Sequence, residues 1–230
     1  MPDARLSELF TYRPFVRFWL ARLAGITANQ MLMVAVAWHV YDLTSSAWDL
    51  GLVGLFQFVP ALVMTLPAGH LADRLHRGRI FAACMLGQAL VAGLLVAATQ
   101  GGFATRELIF GVSIVLGVAR AFQMPAQQAL TPLLVPPALL QRAIALSSTG
   151  IQAAVIGGPA LGGVLYAAGA TTVYTCCAAL LLLACALTLT VRYRHVPSTE
   201  SATWRTVLAG VAFVWQRKVL LGATSLDLRA

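Results

Sequence analysis

Long apolar runs separated by short polar stretches fill the chain up to Val191. A helix needs roughly 20 mostly apolar residues to cross a bilayer, and each run is about that long or longer. Because lipid offers no partners for backbone hydrogen bonds, such runs predict helices. We therefore predict an all-α membrane protein whose spans lie at about Phe15–Tyr41, Leu50–Ala72, Ile80–Thr99, Leu108–Leu134, Leu140–Ala168 and Thr172–Val191.

The pattern changes after the sixth run, which divides the chain into three parts. Residues 1–194 are predicted to form a six-helix domain. Residues 195–218 begin with a polar cytoplasmic linker and continue as an amphipathic segment. Residues 219–230 are apolar but too short to cross a bilayer, so we interpret them as the start of an incomplete seventh helix.

Composition supports lipid as the solvent for most of this chain. Hydrophobic residues make up 59% of it and charged residues 10%, whereas soluble domains have about 45–50% and 25%. The net charge of +8 does not predict nucleic-acid binding, because the basic residues form short clusters between apolar runs. The partner that composition implies is the lipid bilayer.

The arginines also predict the orientation of the spans. Positively charged residues collect on the cytoplasmic side of membrane proteins. One side of the predicted topology holds most of them, and the other holds Arg106 beside Asp42, Asp49 and Glu107. Both termini are therefore predicted to be cytoplasmic. The first run is too long for a signal peptide and is expected to remain as a span.

No catalytic or metal-binding pattern occurs in the sequence. The four cysteines lie inside apolar runs without metal-ligand spacing, as expected for small packing residues. Neither a phosphate-binding loop nor a catalytic triad is present. We predict no enzyme activity, no cofactor and no metal.

The loop after the second run carries a carboxylate among basic residues. A carboxylate at the C-terminal end of a helix opposes the helix dipole unless neighbouring positive charges compensate it. The group can be a gating latch or simply part of an ordinary cytoplasmic loop. The candidate residues are Gly69, Asp73, Arg74, Arg77 and Arg79.

This loop resembles the signature loop of the major facilitator superfamily. Gly69, Asp73 and Arg74 match the pattern, Arg77 and Arg79 supply the later basic positions, and His76 stands where a glycine is common. The resemblance implies the N-terminal half of a twelve-helix transporter, folded as a 3+3 inverted repeat. It also implies that the Asp contacts the second half when the cytoplasmic side is closed.

Other stretches are similar to the enterobactin-exporter branch of that superfamily. They are Trp38–Thr44, Leu50–Leu55, Gly117–Ala126 and Ser225–Leu228. The resemblance implies a drug or siderophore-like exporter of the bacterial inner membrane. Its mechanism would be alternating access driven by proton antiport.

Polar side chains inside the apolar runs are candidates for a substrate cavity. Arg120 lies deep in the fourth run, where a charged residue is costly unless it faces a cavity or the bundle interior. The family resemblance implies a substrate or coupling role for it, and a purely structural role is the alternative. Further candidates, which could equally be bonds between helices, are Arg22, Asn29, Gln30, Gln57 and Gln152.

The fifth run contains the sequence Gly157-Gly158-Pro159-Ala160-Leu161-Gly162-Gly163. Closely spaced glycines let helices approach tightly, and proline weakens the local backbone ladder. Tight packing alone accounts for the pattern. The stretch also resembles the helix-five motif of antiporters, which implies a hinge at Gly157, Gly158, Pro159, Gly162 and Gly163.

Three hypotheses follow for a chain of this length. In the first, the chain is a truncated product, which the stop inside the predicted seventh helix favours. In the second, the chain pairs with a second copy or with a separate C-terminal half. In a different class of function, it is a six-helix scaffold or partner protein that does not transport.

Overall fold

The computed structural model describes residues 6–74 and 76–191. A four-residue helix, Leu6–Leu9, precedes the long helices, and 3₁₀ turns lie at Thr131–Leu133 and Pro137–Leu139. The long helices are α1 (Arg13–Thr44), α2 (Ala47–Arg74), α3 (Arg77–Gln100), α4 (Arg106–Leu130), α5 (Leu140–Ala167) and α6 (Ala170–Leu189). All six are long and apolar enough to span a membrane, which confirms the predicted fold class.

Short polar and glycine residues set the boundaries between these helices. Ser45 ends α1 in the left-handed conformation, and the Ser46 hydroxyl then accepts a hydrogen bond from the Asp49 amide at the start of α2. Thr105 caps α4 in the same way by accepting from the Leu108 amide. Gly169 adopts φ +111° between α5 and α6, a conformation that favours glycine.

The outer surface of the bundle is strongly apolar. Leu90 on α3 is 67% exposed, and Leu182 and Leu183 on α6 are each 50% exposed. Lipid tails solvate such side chains, whereas water would be a poor solvent for so many of them. Trp38 and Trp48 are exposed near the α1–α2 connection, where interfacial aromatic residues are common.

The packing of the helices has the symmetry of a 3+3 repeat. The closest pairs are α3 with α6, α2 with α4, α1 with α5, α1 with α6, and α3 with α4. Exchanging helices α1–α3 with α4–α6 in order turns this set of pairs into itself. Because consecutive spans run in opposite directions, the two triplets are inverted relative to each other.

Glycines bring two symmetry-related helix pairs into backbone contact. A Cβ added at Gly117 on α4 would overlap the Gln57 carbonyl oxygen on α2. On α5, a Cβ at Gly162 would lie 2.9 Å from the Met31 Cα of α1. Both pairs can therefore pack closely only because a glycine is present.

Hydrogen bonds and an ion pair connect the ends of neighbouring helices. Arg17 Nη1 lies 3.4 Å from the Thr190 carbonyl oxygen at the end of α6, a favourable position for a cation. At the other end, Arg106 pairs with Asp49 at 3.5 Å. The Tyr166 hydroxyl also donates to Asp42 at 2.6 Å. Apolar clusters fill the bundle between these ends.

Candidate functional site

Helices α1, α4 and α5 line a half-open cavity of about 470 Å³. Its wall combines guanidinium, amide, thioether and aliphatic groups. The lining residues are Arg22, Ile26, Asn29, Gln30, Met33, Arg120, Gln123, Met124, Gln127, Gln128, Ile151 and Val155. Apolar walls with a few convergent polar groups are typical of small-molecule sites.

A smaller recess extends this cavity towards α2. Asn29, Met33 and Arg120 line both spaces, and Gln57 lines the recess. Five of the six polar candidates identified in the sequence therefore lie around one continuous polar region. Gln152 is the exception, because it occupies an exposed position on α5 and neither wall includes it.

A larger cavity of about 590 Å³ lies between α3 and α4. Its wall is formed mostly by aliphatic residues, Cys84 and Phe122, with His76 and Arg79 at one end. It lacks the convergent polar groups that orient a substrate. We therefore assign the candidate site to the cavity of α1, α4 and α5.

A chain of amides behind the cavity was missed in the sequence. The Gln123 side-chain oxygen accepts from Gln88 Nε2 at 2.8 Å and from Asn29 Nδ2 at 3.3 Å. Gln88 and Gln123 are both buried. Gln123 therefore links Asn29, in the cavity wall, to α3 in the bundle core. The sequence feature that could have identified Gln88 is that it is a glutamine inside an apolar run.

Replacing Gln123 with leucine is expected to destabilise the bundle and to free the Asn29 side chain. The change leaves the buried Gln88 amide without an acceptor, at about 1–3 kcal/mol for an unpaired buried group, and it removes the acceptor of the half-buried Asn29 amide. Thermal unfolding in detergent measures the loss. Gln128→Leu is the control, because Gln128 is exposed in the same cavity wall. Equal stability of the two variants would contradict a structural role for the amide chain.

The two arginines of the cavity have few polar partners. Arg22 Nη1 lies 3.5 Å from the Thr131 hydroxyl at the end of α4, and Arg22 Nε is buried without a partner. Arg120 is exposed to the cavity, and nothing in the part of the chain that the structure describes bonds its guanidinium. Both guanidiniums can therefore bind a ligand without first breaking an ion pair.

The glycine-rich stretch of α5 is divided between two faces. A Cβ at Gly158 would lie 2.6 Å from the Gln30 Cβ on α1, and Gly162 meets Met31 on the same helix. No atom lies within 4 Å of a Cβ at Gly157 or Gly163. Pro159 lies between the two packed glycines. The spacing of Gly158 and Gly162 therefore holds α5 against the cavity-lining face of α1.

Alanine at Gly158 is expected to push α5 away from α1, whereas alanine at Gly157 is not. Overpacking typically costs about 1–3 kcal/mol. The same substitution in an open helical position gains up to about 1 kcal/mol in helix propensity. The yield of folded protein by size-exclusion chromatography compares the two variants. Equal yields would contradict the close approach at Gly158.

The candidate gating loop is described only in part. Gly69 lies in α2 with open space beside it, Arg77 begins α3 and Arg79 is exposed. His76 precedes α3 with φ −66°, an ordinary conformation that does not need the glycine common at this position. The side chains of Asp73 and Arg74, and residues 195–230, lie outside what the structure describes.

The sequence matches the family described as transmembrane secretion effector, within the major facilitator superfamily, over residues 8–220. The chain belongs to this family. That membership confirms the predicted superfamily and the prediction that the chain is not an enzyme. Together with its six apolar helices, it identifies a multi-pass bacterial membrane protein.

Several curated proteins are similar to this member of the family. Macrolide efflux protein A of Streptococcus pyogenes is 30% identical over 160 residues, covering 66% of this chain and 38% of that protein. Multidrug efflux pump Tap of Mycolicibacterium fortuitum is 28% identical over 94% of this chain and 56% of the pump. The Staphyloferrin A transporter of Staphylococcus aureus is 27% identical over 60% of this chain and 35% of that protein. The chain therefore spans about half or less of their length.

Proposed function

We propose that this chain is the N-terminal six-helix half of a secondary active exporter. It would move a drug or siderophore-like small molecule by alternating access. The observation that carries the proposal is the polar cavity between α1, α4 and α5, in a bundle whose outer surface is otherwise apolar. The efflux and transporter names of its relatives agree with this function.

A second six-helix body would complete the cavity. Helices α2 and α5, which are related by the repeat, both expose large apolar side chains, including Phe58 and Leu62 on α2 and Ile156 on α5. The partner can be a C-terminal half or a second copy of this chain. In either case it would cover Arg120 and leave the substrate between the two halves.

We propose that export is coupled to proton antiport, so that the proton gradient supplies the energy. The α5 stretch from Gly157 to Gly163 resembles the antiporter motif, and Pro159, which weakens the backbone ladder between Gly158 and Gly162, would let it bend as a hinge. Asp73 would hold the cytoplasmic side closed by contacting the partner half, and Arg74, Arg77 and Arg79 are the basic residues that accompany it in the sequence. We place the protein in the bacterial inner membrane with both termini in the cytoplasm, because most arginines lie on that side.

Efflux from cells tests this function directly. Cells are loaded with carboxyfluorescein or rhodamine 123, and the chain is expressed alone or with a C-terminal half from the same family. Efflux that requires the second half and stops with a protonophore is the expected result. Efflux by the chain alone would instead support pairing with a second copy.

Absence of efflux of either dye under both conditions would contradict the transporter proposal. The alternative is then a six-helix membrane scaffold that does not transport. The tight α1–α5 and α2–α4 contacts favour this alternative to the extent that they make the bundle rigid.

A further inference from the structure

The cavity contains two positive charges at different depths in the bundle. Arg22 Nη1 contacts the Thr131 hydroxyl just beyond the end of α4, whereas Arg120 precedes Thr131 by eleven residues, roughly 16 Å along the helix. Both side chains nevertheless line the same cavity. Arg22 keeps a buried Nε without a partner.

The described part of the cavity wall supplies no negative charge. No Asp or Glu is among its lining residues. The carboxylates of Asp42 and Asp49 lie at the opposite helix ends, where they contact Tyr166 and Arg106. The remaining polar groups of the wall are neutral amides of Asn29 and the glutamines.

Two unneutralised guanidiniums in a membrane-embedded cavity favour an anion and repel a cation. Charges inside a bilayer are costly unless they are paired or hydrated, so a bound anion is the stabilising partner. The guanidinium presents a fork of donors that matches a carboxylate, and charge-assisted bonds of this type are strong. The neighbouring amide groups can donate further hydrogen bonds.

We infer that the substrate is an organic anion that carries a carboxylate or a similar acidic group and binds in the cavity that Arg22 and Arg120 line at two depths. This inference rests on the proposed function, since it assigns a substrate class to the same cavity. Met33, Met124, Ile151 and Val155 provide the apolar wall for the body of the molecule. Organic cations of the same size are excluded by the two positive charges.

Binding of two dyes to the purified chain tests the inference. The chain is reconstituted in phosphatidylcholine nanodiscs, whose lipids carry no net charge. Carboxyfluorescein is an anion and rhodamine 123 is a cation, and they share a xanthene ring system. Fluorescence anisotropy is expected to detect carboxyfluorescein binding and much weaker rhodamine binding. Arg120→Gln and Arg22→Gln should each weaken carboxyfluorescein binding by about tenfold or more.

Arg142→Gln is the matched control, because it removes the same charge from a residue outside the cavity wall. Arg142→Gln should leave carboxyfluorescein binding unchanged. Arg120→Lys tests whether a positive charge suffices without the forked donors of the guanidinium. Size-exclusion elution of each variant separates misfolding from lost affinity. Rhodamine binding equal to or tighter than that of carboxyfluorescein, or unchanged binding in the arginine variants, would overturn the anion inference alone. Binding of neither dye would also overturn the proposed substrate cavity.

Discussion

Gly117→Ala is expected to separate α4 from α2 and to lower the stability of the whole bundle. The new Cβ would overlap the Gln57 carbonyl oxygen and lie 3.0 Å from the Gln57 Cα. These are backbone atoms, which cannot rotate away as a side-chain end can. Overpacking costs about 1–3 kcal/mol. With about 2–4 °C lost per kcal/mol, the apparent melting temperature should fall by roughly 2–12 °C.

Gly111→Ala is the control for this substitution. Gly111 lies in the same helix, and no atom lies within 4 Å of an added Cβ. Alanine there should be neutral or slightly stabilising, because it has the higher helix propensity. Fluorescence-detected size-exclusion chromatography after heating compares both variants with the unmodified protein. A melting temperature that is unchanged in Gly117→Ala would contradict the close α2–α4 contact.

Arg120→Gln is expected to abolish transport while leaving the protein folded in the membrane. The side chain is exposed to the cavity and its guanidinium bonds nothing in the described residues, so its replacement removes no hydrogen bond or ion pair among them. A charged hydrogen bond to substrate contributes about 1.5–3 kcal/mol. The loss of this bond and of the local positive charge should reduce efflux by about tenfold or more.

The measurement is energy-dependent dye efflux from cells that express the chain together with the C-terminal half, with protein quantified in the membrane fraction. Arg142→Gln should retain full efflux, because Arg142 is outside the cavity wall. Loss of Arg120→Gln protein from the membrane, in parallel with lost efflux, would assign Arg120 a structural role instead.

The architecture could be predicted from the sequence almost completely. A helix that spans lipid requires a long apolar run, which is visible in the sequence. The ends of the predicted and observed helices therefore agree within a few residues. In the sequence, the 3+3 repeat was implied only by the family resemblance. It became evident from which helices pack together, a property that depends on contacts far apart in the sequence.

The sequence predicts that a polar cavity exists, but not which side chains line it. Polar residues in apolar runs are few, and most of them meet at one site because burying them elsewhere would be costly. Gln152 was as good a candidate as Asn29, yet its neighbours Ile151 and Val155 line the cavity in its place. The helix rotation that decides this is set by the packing of Gly158 and Gly162 on α1. The Gln88–Gln123 hydrogen bond joins two different helices, so it too depends on how the helices are rotated against each other.

Labelling of single cysteines tests most directly whether the face formed by α1, α4 and α5 is a water-filled substrate cavity. Met33→Cys and Met124→Cys are made with Cys84, Cys176, Cys177 and Cys185 replaced by alanine. Leu90→Cys, at an exposed apolar position on α3, is the lipid-facing control. A membrane-impermeant maleimide should label the two cavity positions in intact or inverted membrane vesicles and leave Leu90→Cys unlabelled. No labelling at Met33 and Met124, or equal labelling at all three positions, would contradict the cavity.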